Sequence, residues 1–544
     1  MASKDGSKLN MIVAQRRLDV TAARALVSED DLRARIAGRA PPLDFAATVR
    51  GAAPMGLLAE IKRASPSKGD IAMGVDAASQ ALTYALAGAC AISVLTEPNW
   101  FKGSLTDLEN VRSALESAGK SPGTCVLRKD FIVEEYQLLE ARAHGADTAL
   151  LIVASLEEAR LLELMRFART LGMEPLVEVA NEGEMATALK VGAKVIGVNN
   201  RNLHTFEVDM GTTGRLAAMI TPEHDVLLIA LSGVGNRDDV VSFANVGAKA
   251  VLVGESLMRA PSPATLIREL LALPAPPTLC KICGLRDPEA ALCATDAGAD
   301  FLGVIFAPSK RQVDEAEAKA IVDAVRERRP RPANYRPLTV AGSGVDAAAA
   351  AASGKGAEPA RRWLQLWQAL LANESARHGP LVVGVFVDET AEVMNAIAER
   401  VGLDIIQLHG KSEGWEVATQ LVRPAIRVMH MADDVDAPMV SAQVRGGTAA
   451  AILLDSMGGG TGKTFDWQTA QQVRSQAPFP PTPPQVQSQA PFILAGGLHP
   501  ENVAAAAQQA RPWCVDVSSG VESGGVKDHA KIKAFVNGAH TALA

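Results

Sequence analysis

The chain has 544 residues, 48% apolar and 21% charged, the balance of an ordinary globular protein. Its formal net charge of −7 argues against bulk binding of nucleic acid, and no run reaches the ~18 uninterrupted apolar residues of a membrane span. Six cysteines are too few for a disulfide scaffold and their spacing gives no zinc framework, so no metal is expected. The N-terminal MASKDGSKLNMIVAQRR has no apolar core of a secretion signal. A cytoplasmic enzyme is the leading class, and an interaction protein the competing one.

A Pro-rich stretch near Leu273-Pro-Ala-Pro-Pro divides the chain. The expected organisation is a barrel over 1–272, a linker over 273–278 and a second barrel over 279–544. Gly-Ala pairs at Gly88, Gly145, Gly192, Gly247 and Gly298 each precede a short apolar run. Glycine supplies a left-handed helix cap, and the run reads as a doubly buried parallel strand. Intervening strands are expected at Leu57–Ala64, Cys125–Phe131, Glu174–Val179 and Val226–Ser232, alternating with helical patterns such as Glu134–His144 and Ser155–Leu171. Eight β/α units per half predict two tandem (β/α)8 barrels of the α/β class; an open doubly wound sheet is the alternative.

The second half repeats the pattern at Leu279–Cys283, Phe301–Phe306, Leu381–Val387, Ile405–Leu408, Ile426–Met429, Ala450–Leu454, Phe492–Leu494 and Cys514–Val517. Two stretches, about 329–379 and 475–491, interrupt it and read as surface excursions. The first contains an Ala run that looks disordered, then WLQLWQALL, which reads as a short amphipathic helix.

Functional groups of such barrels lie where strands end at the C-terminal face. Glu60 and Lys62 end the first strand on one face, and a buried strand holds two charges only if they pair or act. Lys129 ends the third strand. Val-flanked Glu178 on the fifth is a candidate proton carrier, since burial raises a carboxyl pKa. The sixth ends at Asn199-Asn200-Arg201. Leu231-Ser232-Gly233 and Val253-Gly254-Glu255 offer backbone amides to a phosphate.

These residues carry a resemblance. AEIKRASPSKG, FKGSLTDL, LRKDFIV, EPLVEV, IGVNNRNL and LVGESLMR together resemble the indole-3-glycerol-phosphate synthase family, over about 10–270. The resemblance implies decarboxylation and ring closure of a carboxyphenylamino-deoxyribulose phosphate. It makes Lys129 the general acid on the substrate carbonyl and Glu178 the general base, or the acid/base of the dehydration. Lys62 would hold the carboxylate or phosphate end and assist acid catalysis. Glu60, Ser65, Asn199 and Ser232 would position substrate. Arg201 and the amides near Gly233, Gly254 and Glu255 would hold the phosphate. Many family members carry Glu where this chain has Leu231; the Ala-Leu-Ser-Gly version looks like the fungal branch.

The second half opens Cys280-Lys281-Ile282-Cys283-Gly284. Residues three apart on a strand face opposite sides, which disfavours a metal or disulfide pair; Cys283 beside Gly284 reads as a lone acid/base thiol or a core cysteine. Asp455 ends a later strand. Gly458-Gly-Gly-Thr-Gly-Lys463 invites a nucleotide-loop reading, but Met457 stands where that motif needs glycine, so a glycine lid fits better. Ala495-Gly496-Gly497 and Asp516-Val-Ser518-Ser519-Gly520 form a second phosphate nest. KICG, SKR, GVFV, QLHG, LLD, GGGTGKTFDW, AGGLHPENV and VDVSSGVE resemble the phosphoribosylanthranilate isomerase family.

That resemblance implies an Amadori rearrangement. Asp455 would be the acid on the ribose ring oxygen and Cys283 the base at C2′. Arg311 would pair with the anthranilate carboxylate. Gly497, Ser518, Ser519 and Gly520 would hold phosphate, with Gln407 and His409 lining the site. The expectation is a bifunctional enzyme of tryptophan biosynthesis acting on small phosphosugar–anthranilate substrates. It needs no cofactor, and association with anthranilate synthase components is left open. A histidine-pathway sugar isomerase would favour two strand-end Asp residues over Cys283 with Asp455; the other rival is a scaffold with one inactive barrel.

Overall fold

The computed structural model describes residues 8–120, 123–202, 207–333, 335–339, 357–410, 415–431, 448–456, 467–475 and 490–543. Two compact units divide between Leu273 and Pro274. Among the described residues no helix is long and apolar enough to cross a membrane.

The first unit is a closed barrel of eight parallel strands. They are β1 (Gly56–Ile61), β2 (Ala91–Leu95), β3 (Cys125–Lys129), β4 (Thr148–Ile152), β5 (Leu176–Val179), β6 (Val195–Asn199), β7 (Leu227–Leu231) and β8 (Ala250–Val253). Closure comes from β1, whose Gly56 stands opposite Ala250 of β8 and whose Leu58 stands opposite Ala91 of β2. The strands are short apolar runs because helices cover one face and the barrel core the other. Helix starts are fixed by side-chain oxygens: Asp44, Asp76, Ser104, Asn181 and Asn236 each accept a hydrogen bond from the first helical turn. Gly88 ends its helix at φ 119°, a left-handed cap that only glycine takes without strain. Three helices precede the barrel proper, one of them Glu29–Ala37. Helix α1 (Lys8–Leu26) lies near the C-terminal ends of the strands, where Lys8 donates to the carbonyl of Pro66. Helix α2 (Phe45–Gly51) puts Phe45 and Val49 into the same core as Leu58, Leu127 and Ile229.

The second unit is another closed barrel. Its strands are β9 (Leu279–Ile282), β10 (Phe301–Ile305), β11 (Leu381–Phe386), β12 (Ile405–Leu408), β13 (Ala425–Met431), β14 (Ala451–Ser456), β15 (Ala490–Leu494) and β16 (Pro512–Val517). The expected strands are present in both halves, with ends moved by at most three residues.

One expectation is corrected. The stretch about 329–379 is not a surface excursion throughout, because helix α3 (Ala357–His378) runs for 22 residues with Trp363, Leu364, Trp367 and Leu370 buried. Trp363 Nε1 donates to the carbonyl of Ala449, just before β14. Ser375 Oγ donates to the carbonyl of Asp300, just before β10. β10 and β14 lie four strands apart in an eight-stranded ring, and twelve helical residues span about 18 Å. The helix therefore crosses the N-terminal end of the barrel as a floor, away from the face that carries chemistry. Its tryptophans are its anchor, and a short amphipathic surface helix would not bury them. The Ala run, the glycine segment at 458–463 and nearly all of 475–491 lie outside the described residues.

Candidate active sites

In the first barrel the strand ends bring the expected charges together. Lys62 Nζ lies 2.8 Å from Glu60 Oε1, and Lys129 Nζ lies 3.4 Å from Glu178 Oε2. Asn199 Nδ2 donates to Glu178 Oε1 at 2.9 Å, and Asn199 Oδ1 accepts from the Arg201 amide. Glu178 thus sits between a cation and an amide donor, not in a purely apolar pocket. Burial works against charge on Lys129, but Glu178 and Glu60 outweigh it and hold its ammonium above the ordinary lysine range. Burial likewise opposes ionised Glu60, yet Lys62, Lys129 and Arg201 hold it below the usual carboxylate range. The site presents a proton-carrying Lys129 hydrogen-bonded to a carboxylate.

The phosphate side is built from backbone. Ser232 and Gly233 both have positive φ, 67° and 90°, which is uncommon for serine and turns the chain sharply after β7. Gly254 opens a short helix, Glu255–Arg259, and a Cβ there would meet Glu60 Oε1 at 2.5 Å. The Glu255 carboxylate lies 3.8 Å from Arg201 and 3.9 Å from Lys68. A carboxylate repels phosphate, so only the amide of Glu255 suits the expected role. Ser65 lies in a two-residue antiparallel pair with Gly69 in the loop after β1. Leu231 packs where a Cβ on Gly197 would fall, 2.8 Å from its Cδ1, so β7 brings hydrocarbon to the interior.

Two features were not foreseen. Phe101 and Phe131 face each other with ring centroids 6.0 Å apart, and both pack on the cluster that includes Leu9 and Ile12 of α1. They form an apolar pair, and Phe131 stands two residues after Lys129. Behind Lys129, Asp130 is buried against Arg16, Arg128 and Thr96. The aromatic signal was present in FKGSL and KDFIV; the Arg16 partner, 114 residues distant, had no local signal.

In the second barrel Cys283 follows β9. A Cβ on Gly303 would lie 2.6 Å from its sulfur, so glycine makes room for the thiol. A Cβ on Gly284, at φ 72°, would strike Arg311 Cδ at 2.6 Å and Ser518 Oγ at 2.8 Å, which brings the carboxylate and phosphate candidates onto one glycine. Burial pushes the Cys283 thiol up, partly offset by Lys281 and Lys527. Asp455 is buried, and desolvation together with Asp516 pushes its carboxyl up to about 6. His409 Nε2 lies 3.8 Å from Asp455 Oδ2, and burial drives the imidazole down to about 4, so it is neutral at pH 7. Gln407 Nε2 lies 3.3 Å from His409 Nδ1.

Arg311 reaches the site with its fork occupied: Nε and Nη2 donate to Glu522 at 2.7 and 2.9 Å. Lys527 joins the cluster, 2.8 Å from both Glu522 Oε1 and the Ser518 carbonyl. Ser518 Oγ is buried without a hydrogen-bond partner. A Cβ on Gly520 would meet the Leu498 carbonyl at 1.9 Å, so the Ser518-Ser519-Gly520 turn closes tightly on the loop holding Gly497. Lys281, Asp516, Lys527 and Glu522 were missed. For Lys281 and Asp516 the signal was the one used for Glu60, a charge inside a buried strand. Among the described residues no cluster of His, Cys, Asp or Glu could hold a metal ion.

The family described as Indole-3-glycerol phosphate synthase matches residues 9–270, and that described as N-(5'phosphoribosyl)anthranilate (PRA) isomerase matches residues 345–538. The multifunctional tryptophan biosynthesis protein of Phycomyces blakesleeanus is 45% identical, over 97% of this chain and 68% of that protein. The tryptophan biosynthesis protein of Phytophthora nicotianae is 42% identical, over 98% of this chain and 96% of its own. The indole-3-glycerol phosphate synthase of Roseiflexus castenholzii is 46% identical over 48% of this chain and 97% of its own. The crystal structure of phosphoribosyl anthranilate isomerase from Thermotoga maritima is 28% identical over 48% of this chain and 98% of its own, with a TM-score of 0.32.

Proposed function

The chain belongs to the family of multifunctional tryptophan biosynthesis proteins and joins an indole-3-glycerol phosphate synthase to a phosphoribosylanthranilate isomerase, and for these two activities we propose the following residue roles. The C-terminal barrel acts first. Protonated Asp455 gives its proton to the ribose ring oxygen of N-(5-phosphoribosyl)anthranilate, and the ring opens to an iminium. The Cys283 thiolate then removes the C2′ proton, leaving an enolamine that tautomerises to the aminoketone. Ser518, Ser519, Gly520 and Gly497 hold the phosphate, and Arg311 meets the anthranilate carboxylate.

The product is the substrate of the N-terminal barrel. Lys129 protonates its ketone oxygen as the aromatic ring carbon attacks, carbon dioxide leaves, and Glu178 takes part in the proton transfers through which water departs. Phe101 and Phe131 stack on the aromatic ring. Lys62, held by Glu60, faces the carboxylate or the phosphate, and Arg201 with the Gly233, Gly254 and Glu255 amides takes the phosphate.

The observation that carries this reading is the pairing in each mouth of a proton donor with a proton acceptor: Lys129 with Glu178, and an Asp455 pushed up to about 6 in one barrel with Cys283. We assign the substrate-binding roles to Asn199, Gln407 and His409 on their contacts with these pairs, and to Ser65 and Ser232 on the family resemblance of the loops that carry them. A cytoplasmic location and association with anthranilate synthase components are further proposals, to be checked by fractionation and co-purification. The test of the roles uses the full chain and both substrates separately. Cys283→Ala and Asp455→Ala are expected to abolish isomerisation and leave ring closure intact, and Lys129→Ala the reverse. Loss of both activities in any one variant would overturn the two-site assignment.

A further inference from the structure

Lys281 takes no direct part in the chemistry above, yet it lies at its centre. Its side chain is fully buried, and its ammonium nitrogen lies 3.1 Å from Asp516 Oδ2. The two residues stand opposite each other where β9 pairs with β16. Lys281 and Cys283 are two apart, so they share one side of the chain as it leaves β9. The ammonium interacts with the Cys283 sulfur as well as with Asp516. The other oxygen of Asp516 is buried with no hydrogen-bond partner, so the pair is not closed on itself.

The charges facing the thiol can be followed element by element. Lys281 comes from its own strand and Asp516 from β16. Lys527 and Arg311 approach from the loops after β16 and β10, and both are spoken for by Glu522. Asp455 and His409 stand across the mouth, and each interacts with Lys281. Three cations, Lys281, Lys527 and Arg311, thus face Asp516, Glu522 and Asp455 around Cys283. With Asp455 protonated one positive charge is left over, and a thiolate would complete the balance.

Resting on the assignment of Cys283 as the isomerase base, we infer that Lys281 is a positioning residue: its ammonium, tethered by Asp516, holds the Cys283 thiolate in the floor of the site. Asp516 has the opposite effect on the thiol, and together with burial it pushes the Asp455 carboxyl up. One ion pair therefore sets both partners of the acid–base reaction. It disfavours two anions at once, so a thiolate forms with Asp455 as the carboxylic acid, the combination that the rearrangement uses.

The test is the pH dependence of isomerase kcat in the full chain, with the synthase activity of the same preparation as control. Lys281→Met should lower the plateau at least tenfold and move the alkaline limb up by one pH unit or more. KM should stay within threefold and the synthase unchanged, and Lys281→Arg should return the limb toward its original position. Asp516→Asn should move the alkaline limb down. Opposite movements are not produced by a merely structural role. If Lys281→Met unfolds the second barrel, the direction of the Asp516→Asn shift decides. An unmoved limb in Lys281→Met, or an upward shift in Asp516→Asn, overturns the inference. Full activity in Cys283→Ala would instead overturn the base assignment on which it rests.

Discussion

Asp130 is the most heavily invested carboxylate in the first barrel. It accepts from Arg16 Nε and Nη2 at 3.0 and 2.9 Å, Thr96 Oγ1 at 2.6 Å, Arg128 Nη2 at 3.0 Å and the Phe131 amide at 2.8 Å. Arg128 is fully buried, so Asp130→Ala leaves a guanidinium with one fewer counter-charge and no access to water. Breaking such a buried pair costs about 3–5 kcal/mol. For a unit of this size each kcal/mol moves the midpoint by about 2–4 °C, so the first unit should melt about 6–20 °C lower. Arg16→Ala should cost less, because Arg128 and Thr96 still serve Asp130, and the double variant should cost less than the sum of the singles. Calorimetry of the full chain, with both activities followed through the melt, separates the units.

The pH dependence has a definite sign. Burial opposes ionised Asp130, but Arg128 and Arg16 prevail and hold its carboxyl below the usual range. Its contribution is present above about pH 4, the unfolded value, and is lost as pH falls through the lower folded one. The gap between wild type and Asp130→Ala should therefore close in acid. A cost below about 1 kcal/mol, a gap that widens in acid, or an equal shift of the isomerase unit would refute the reasoning.

Two other predictions concern the second barrel. With Asp455 pushed up to about 6 and the thiol above its ordinary value, isomerase kcat/KM should rise tenfold per pH unit up to about pH 6, then stay level into the alkaline range; a profile falling steadily from pH 6 to 8 would contradict the acid–base pairing. Trp363→Ala removes a buried indole and the hydrogen bond to Ala449, so it should destabilise the isomerase unit by about 3–5 kcal/mol while leaving the synthase melt in place, which denaturant unfolding followed by the two activities would resolve.

The strands were legible because each parallel strand is buried on both faces and so writes itself as a short apolar run, as Ile405–Leu408 does without a residue's error. Candidate site residues were legible wherever a charged or thiol side chain ends such a run, as with Lys129 and Cys283. Two kinds of feature were not. Helix α3 needs a partner surface, the underside of the barrel, which its own spacing of Trp and Leu does not name. The Lys281–Asp516 pair joins residues 235 apart, and only closure of the barrel puts them opposite each other. Arg311 lies beside Gly284, but nothing near Ser309-Lys310-Arg311 tells of Glu522, which reaches it from beyond β16.

That contact changes what binding at Arg311 means. The guanidinium already holds one carboxylate, so an anthranilate bound there as proposed would trade places with Glu522 or settle for the remaining edge of the fork. Such a swap conserves the number of ion pairs and yields little net grip. Weak retention suits a station whose product must travel onward: the compound made in one barrel is raw material for the other, and a site that clung to it would starve the next.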